Sequence, residues 1–465
     1  GYATRYGRSL STMNAVTNTQ IDKEITVLNT TASICNECLK RVPAEVYEKN
    51  NVIYIRKTCD EHGTFESPHV WDDPETYKYL IKFEKFQFPS RKVLFNLTND
   101  CNMNCHFCYA KANEIDIKEL SFEDVKKMDL SRFEYIFLSG GEPTIKDDLF
   151  EIIRYLKKNG KKVFVLTNGI KIANPEYAKG LKKSRVDMVV LQFDSLYDDD
   201  IQYLRGISLL ETKLKVIENL NTYKIPTYFF SIQLKKNNIR NMKALVKYFN
   251  DKKEVIKGIN FNTIWKIGRY DDENWMSTKS ITDNSCEVLG VKKEDYLIST
   301  EFMYYLFILI ASWKNKRRYF SRCLTFLLVI YNKDQIIPIT KIFNLKKLSS
   351  YIKAIVIEKK KWKIFPLIGY ALFSQMFLNF FLNKNYRIFF FQSVKKLRYL
   401  FHRNVFLLNP LTTFNVGEFP TAEDFDYNFV DTCNLFYFDP EHNSVLPVCM
   451  NQIKFARSNH PLYSK

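Results

Sequence analysis

The chain has 465 residues and a formal net charge of +18, from 69 Lys and Arg against 51 Asp and Glu. Hydrophobic residues make up 46% and charged residues 26%, a globular balance that excludes a disordered or collagen-like chain. At roughly 150 residues per domain the length holds two or three domains, or one large barrel with appendages, and ten Cys are too few for a disulfide scaffold, so their spacing carries the information.

Residues 1–33 are polar, without a clear period, and read as a loose lead-in. The first 30 lack the apolar core of a signal peptide, so the expectation is a cytoplasmic, thiol-preserving location. Residues 34–90 form a small Cys/His module. Cys35-x2-Cys38 and Cys59-x2-His62 flank a strand-like Asn51–Lys57. Both halves have the two-residue gap that turns consecutive ligands toward one metal. A tetrahedral site is expected, and zinc or a mononuclear rubredoxin-like iron fits it equally.

Residues 91–270 alternate strand-like and helix-like runs. The strands are Lys92–Thr98, Glu134–Ser139, Lys162–Thr167, Asp187–Asp194, Thr227–Leu234 and Lys257–Ile264. Helical patterns between them include Ser121–Met128, Asp147–Asn159, Glu211–Lys224 and Ile239–Phe249. Six alternations imply an α/β fold with a parallel sheet closing as a partial TIM-type (β/α)6 barrel.

Residues 271–409 are apolar, aromatic and basic together and are expected to be a helical substrate region. Within them, residues 313–404 hold twenty Lys and Arg against only Asp334 and Glu358, while the rest of the chain carries 49 residues of each sign. The whole net charge therefore sits in one block. The run Ile364–Tyr386, whose one charge is Lys384, has the length of a membrane span, but Pro366, Gly369, Gln375 and Asn379 interrupt it. A buried or membrane-surface helix pair is expected instead, flanked by Lys359–Lys363 and Lys395–Arg398. Residues 410–465 form a tail with Cys433 and Cys449.

The motif richest in chemistry follows the first barrel strand: Cys101-x3-Cys105-x2-Cys108. Three thiolates on one loop can hold three irons of a 4Fe–4S cluster, with no fourth Cys nearby for the last iron. A metal with an open position is built for reaction rather than for structure. Strand two ends in Ser139-Gly140-Gly141-Glu142-Pro143-Thr144, where glycines let backbone approach a ligand. Strand three ends in Thr167-Asn168-Gly169 and strand four in Gln192-Phe193-Asp194-Ser195. All are C-terminal strand ends, where barrel enzymes carry their chemistry.

The three-Cys motif, with Phe107 just before its last Cys, resembles the signature of the radical S-adenosylmethionine (SAM) superfamily. The resemblance implies that Cys101, Cys105 and Cys108 hold the cluster and that SAM binds its open iron. It also implies an electron donor such as ferredoxin or flavodoxin. Hydrogen is then taken from an unactivated C–H bond by a 5′-deoxyadenosyl radical. Gly140, Gly141, Glu142 and Pro143 look like the family's "GGEP" loop. Phe107, Asn168, Gln192 and Asp194 are the further SAM or substrate contacts.

The order of parts also resembles one branch, that of archaeal tetraether lipid synthases and related proteins once read as pterin methylases. The matching stretches are Thr58-Cys59-Asp60-Glu61-His62-Gly63, Leu191-Gln192-Phe193-Asp194, Leu204-Arg205-Gly206, Ile337-Pro338-Ile339-Thr340 and Leu446-Pro447-Val448-Cys449. That likeness implies coupling of two isoprenoid lipid chains, with an auxiliary 4Fe–4S cluster drawn from Cys286, Cys323, Cys433 and Cys449. The chain departs from the branch at Tyr296–Tyr305, which has no Cys. The alternative substrate is a pterin or another small molecule.

The basic block suits an anionic lipid surface, and hence a peripheral position at the inner membrane face; a solvated helix face would carry the same charge. A zinc-ribbon protein docking that block on nucleic acid leaves the three-Cys loop and the glycine loop without a purpose, so no nucleic-acid partner is expected.

Overall fold

A computed structural model describes residues 25–83, 91–114, 118–236, 238–252, 254–266, 269, 274–313, 324–332, 335–356, 382–385, 387, 412–417, 423–427, 435–439 and 444–447. The N-terminal module is an antiparallel meander of β1 (Thr26–Ile34), β2 (Arg41–Lys49), β3 (Val52–Cys59) and β4 (Gly63–Pro68), paired in that order. Burial alternates along β2 and β3, with Val42, Ala44, Val46, Ile53, Ile55 and Cys59 turned inward, the period of a strand with one covered face. Asn50 and Asn51 both take positive φ, 52° and 60°, as a tight hairpin turn requires and Asn tolerates. The stretch expected to be lead-in differs from 25 onward: most of β1 lies in it, held by register with β2 from Thr26↔Glu48 to Ile34↔Arg41.

After α1 (Pro74–Ile81), capped by Asp73, comes the barrel. Its elements are β5 (Lys92–Asn96), α2 (Phe122–Lys127), β6 (Tyr135–Ser139), α3 (Leu149–Lys158), β7 (Lys162–Thr167), α4 (Pro175–Ser184), β8 (Met188–Gln192), α5 (Asp198–Arg205), α6 (Leu210–Thr222), β9 (Thr227–Ile232), α7 (Asn238–Asp251) and β10 (Ile256–Asn262). All six expected strands form, pair in parallel and lie side by side in chain order. Local chemistry starts the helices: Ser121 and Asp124 make a capping box on α2, and Asn174 with Pro175 opens α4, both N-terminal devices.

The region from 271 onward contributes α8 (Thr278–Leu289), α9 (Lys293–Trp313) and α10 (Leu345–Val356), as expected of a helical segment. It also supplies β11 (Leu324–Asn332) and β12 (Gln335–Pro338), and the tail supplies β13 (Thr412–Gly417), β14 (Phe436–Asp439) and β15 (Ser444–Pro447). β13 adds in parallel beside β10 and β14 beside β5, which widens the sheet to eleven strands among the described residues.

Side chains on the helix-facing side of the parallel strands, such as Val93, Ile136, Leu138, Val165, Val189, Leu191 and Phe229, are fully buried against α3, α4, α6 and α7. On the opposite, inner side, Phe137, Leu166, Val190, Phe230 and Ile232 are only half-buried, so the inner face borders open space. A second core joins Val46, Ile53 and Ile55 to Trp71, Tyr77 and the inner side of α9, β11 and α10. No helix among the described residues is long and apolar enough to cross a membrane. Ile364–Tyr386 lies outside the described residues apart from 382–385, as does most of the basic block.

Candidate functional site

The loop after β5 brings Cys101, Cys105 and Cys108 to one wall of a cavity of about 260 Å³ at the C-terminal ends of the strands. All three thiols are free. The loop is stitched by its own polar groups. Asn113 accepts from the Cys101 N–H at 2.8 Å, and its amide donates to the carbonyls of Cys101 and Met103 at 3.1 Å each. Cys108 exchanges both backbone hydrogen bonds with Arg269, at 3.0 and 2.9 Å. Phe107 is buried in a small apolar cluster with Leu204, Leu234 and Ile264 and lines the cavity. Burial pushes the Cys101 thiol up to about 12.

Gly140 and Gly141 lie against this loop. A Cβ on Gly140, whose φ is +149°, would stand 2.3 Å from the Thr98 carbonyl oxygen. One on Gly141 would stand 2.3 Å from the Asp100 oxygen and 2.5 Å from that of Asn99. Only glycine permits this approach. Glu142 is buried, and its carboxylate is fully engaged. One oxygen accepts from Thr144 N (3.0 Å), Thr144 Oγ1 (2.6 Å) and Thr167 Oγ1 (2.6 Å), the other from Asn168 N (2.7 Å). Burial raises its pKa, opposed by these donors. Pro143 is buried in the following 3-10 turn and does not line the cavity.

Asn168 and Gln192 reach the cavity wall. Asn168 Nδ2 donates to Asn102 Oδ1 at 2.8 Å and stands 4.0 Å from Cys101 Sγ. Asp194 is turned away from the cavity, into a two-pronged pair with Arg205: Nε to Oδ2 at 2.8 Å and Nη2 to Oδ1 at 2.9 Å, both residues buried. Two residues here escaped the sequence reading. In the sequence Arg205 stands out only within the stretch Leu204-Arg205-Gly206, and Lys213 only as one position of the helical pattern Glu211–Lys224. A signal for Lys213 existed: it shares its face with Val216, Ile217 and Leu220, all buried, and a lysine on an apolar stripe asks for a buried partner.

At the other site, Cys35, Cys38, Cys59 and His62 offer four ligand atoms that all lie within 4.8 Å of one another. His62 Nδ1 is 3.7 Å from Cys35 Sγ and 3.5 Å from Cys59 Sγ, and the Cys38 and Cys59 sulfurs are 3.9 Å apart. These are edges of a tetrahedron around a metal with bonds of about 2.0–2.3 Å. Burial raises the Cys35 thiol, but the N–H groups of Cys38 and Glu37 and the neighbouring thiols bring it below its ordinary value. Such a thiol is ready to become a ligand.

Cys286 sits on α8, half-buried at the edge of the barrel core, and burial raises its pKa to about 12. Cys323, Cys433 and Cys449 lie outside the described residues.

Residues 95–249 match the family model of the radical SAM superfamily, and residues 27–71 match that of the HMPTM N-terminal zinc ribbon domain. The chain is 30% identical over 380 residues to a 7,8-dihydro-6-hydroxymethylpterin dimethyltransferase of Methanocaldococcus jannaschii, covering 72% of this chain and 74% of that protein. The chain belongs to the radical SAM superfamily. It is also 29% identical over 187 residues to an Fe-coproporphyrin III synthase of Methanosarcina barkeri, covering 39% of this chain and 46% of that one. Among solved structures, Streptococcus suis SuiB bound to S-adenosylmethionine aligns with a TM-score of 0.39 at 17% identity, covering 43% of this chain and 47% of that one. The relative that spans most of this chain bears the name of a pterin dimethyltransferase, not of a tetraether lipid synthase.

Membership of this radical SAM family implies a 4Fe–4S cluster and SAM. The residues fit both: three free thiols converge on one cavity, beside a glycine cradle that any Cβ would fill.

Proposed function

We propose that this radical SAM enzyme takes hydrogen from an unactivated C–H bond of an apolar substrate, an isoprenoid lipid chain, as a step toward carbon–carbon coupling. Cys101, Cys105 and Cys108 would hold the cluster, which when bound supplies the electron that splits SAM into methionine and a 5′-deoxyadenosyl radical.

The observation that carries this reading is the spent chemistry of the cavity wall. Apart from the thiols, the only charged side chains lining it among the described residues are Glu142 and Arg205. Both are fully engaged in holding neighbours. Much of the remaining lining is apolar, including Leu94, Leu166, Val190, Phe230, Ile232 and Ile264, and its other polar groups are the neutral amides and hydroxyls of residues such as Asn168, Gln192, Asn262 and Thr263. A proton-transfer site keeps an acid or base free for the substrate. This wall instead excludes water and orients an alkyl group, which is what hydrogen-atom transfer needs from the protein.

The partners that follow are a one-electron donor such as ferredoxin or flavodoxin and, through the basic block, an anionic membrane surface. We also place zinc or iron at Cys35, Cys38, Cys59 and His62.

A second reading, methylation of a pterin or similar small molecule, is favoured by the name of the relative that aligns over 74% of its own length. The amides of Asn168, Gln192 and Asn262, which line the cavity, could pair with a heterocycle's edge.

Anaerobically prepared protein with reductant and SAM, offered either a diether lipid deuterated at its terminal methyls or a 6-hydroxymethylpterin, separates the readings. Deuterium in 5′-deoxyadenosine from the lipid supports the first. A methylated pterin without lipid turnover replaces it with the second. Cys105→Ala should abolish deoxyadenosine and leave the ribbon metal in place; retained cleavage would mean the cluster is misassigned.

A further inference from the structure

Lys213 lies beneath the cavity and does not line it. Its side chain crosses from α6 to the ends of β7 and β8 and is buried to 2% exposure. The amine donates to the carbonyl oxygens of Asn168 at 2.5 Å and Gln192 at 2.7 Å, with Gln192 Oε1 at 3.4 Å. Burying an ammonium is costly, and a Leu or Met would suit the apolar face it shares with Val216 and Ile217. A cation kept there has work that packing alone does not require.

That work is legible in what it holds. The Asn168 peptide is gripped from both sides, its N–H by Glu142 and its carbonyl by Lys213. With the backbone fixed, the side chain has one direction. Its Oδ1 accepts from Ile170 N at 3.0 Å, and its Nδ2 points at Asn102 and Cys101. Gln192 is held in the same manner. Its Nε2 donates to Asp194 Oδ2 at 3.0 Å while its oxygens face Lys213, so the amide that lines the cavity cannot flip.

We infer that Lys213 is a positioning residue of the radical SAM site: its amine locks two strand ends, so that Asn168 steadies the cysteine loop at Cys101 and Gln192 presents a fixed amide to bound SAM. The inference rests on the reading that Cys101, Cys105 and Cys108 hold the cluster. Groups around a ligand set orient it and tune its potential, and hydrogen bonding near cluster sulfurs raises that potential.

The test uses the full chain with its cluster reconstituted anaerobically. Lys213→Met preserves the stem and removes the donors. Its iron and sulfide content should match the wild type, while the SAM dissociation constant rises roughly tenfold, the worth of one hydrogen bond to a charged group. The cluster's midpoint potential, followed by EPR, should fall. Asn168→Ala should lower the potential too, and adding Lys213→Met to it should produce no further fall, because the lysine acts through the asparagine. Unchanged potential and SAM affinity in Lys213→Met overturn the inference. A fully additive fall in the double variant overturns it as well, since loss of charge alone would give that. If Lys213→Met does not load the cluster, Asn168→Ala decides by itself, and an unchanged potential there refutes the relay. A wild-type protein without iron and sulfide overturns the reading of the thiols first, before any variant is compared.

Discussion

Arg205→Met is expected to be among the most damaging single changes in the barrel, out of proportion to the volume it alters. The guanidinium sits at the last turn of α5 and makes both prongs of its pair with Asp194 at 2.8 and 2.9 Å. Asp194 also accepts from Ile232 N at 3.1 Å and Gln192 Nε2 at 3.0 Å, and Arg205 Nη1 reaches the Phe107 carbonyl at 3.5 Å. The pair thus joins β8, β9, α5 and the cysteine loop. Side-chain exposure is 7% for Arg205 and 1% for Asp194, so water cannot replace a missing partner. Removing one member of such a pair costs about 3–5 kcal/mol, mostly the penalty of the stranded charge. Asp194→Asn should cost a similar amount, while the double variant, which strands no charge, should recover at least about 2 kcal/mol of coupling. Urea unfolding followed by tryptophan fluorescence suits the measurement, since Trp265 packs on Tyr109 beside the thiols at 5.2 Å between ring centroids. At a slope of about 3 kcal/mol per molar, the single variants should unfold about 1–1.7 M earlier. Loss below about 1 kcal/mol in Arg205→Met, or a double variant as unstable as the two singles summed, would refute the argument.

Three further outcomes are expected. Gly141→Ala must displace the carbonyls of Asn99 and Asp100, so iron incorporation should collapse, whereas Gly180→Ala, which meets only the Phe150 ring, should load normally; equal iron in both would be contrary to the cradle. Burial depresses Lys213 to about 8, so below that pH the amine is protonated in both states and the fold bears the cost. Between pH 8 and about 10.5 the unfolded chain holds more protons, and stability should rise by about 3 kcal/mol relative to Lys213→Met; a pH-independent difference between the two proteins would rule this out. Chelation of the ribbon metal should speed amide exchange at residues 34–41 and 59–64 while Val46, Ile53 and Ile55, packed on Trp71 and Tyr77, stay protected; uniform loss across the ribbon would show that the metal holds the whole module.

What the residue order discloses at this site follows from how local each signal is. The six barrel strands, the Cys101–Cys108 loop and each four-residue half of the ribbon motif are patterns within ten or so residues, and they stand in the structure near their expected bounds. β1 was hidden because Thr26–Ile34 is an edge strand with few apolar residues, whose stability comes from pairing with β2 rather than from its own period. β11 carries the continuous apolar run Phe326–Tyr331, a pattern that a buried strand and a buried helix share. Asp194 was visible as a polar residue at a strand end, but its partner lies eleven positions on at the far end of a helix. No periodicity links those two positions, so a residue expected to face a ligand is turned to Arg205 instead.

Taken together, the charged residues around the cavity are used as fasteners. Glu142 binds the turn after β6 to the end of β7, Arg205 binds α5 to Asp194, and Lys213 binds α6 to two carbonyls. With their partners they form a layer of satisfied charge, of which Glu142 and Arg205 reach the cavity wall beside apolar side chains such as Leu94, Leu166, Val190 and Phe230. This division has a chemical consequence. An acid or base with a free lone pair or proton in the cavity would compete for a reactive carbon radical or admit water to it, while a fully satisfied charge is inert toward both. Rigidity of the layer then sets the distance between bound SAM and the C–H bond, and near-attack geometry is worth several kcal/mol of barrier. Damage to a fastener should therefore loosen the link between SAM cleavage and substrate turnover before it stops cleavage. Damage to the thiols should stop both together, and that contrast separates residues that hold the geometry from residues that hold the cluster.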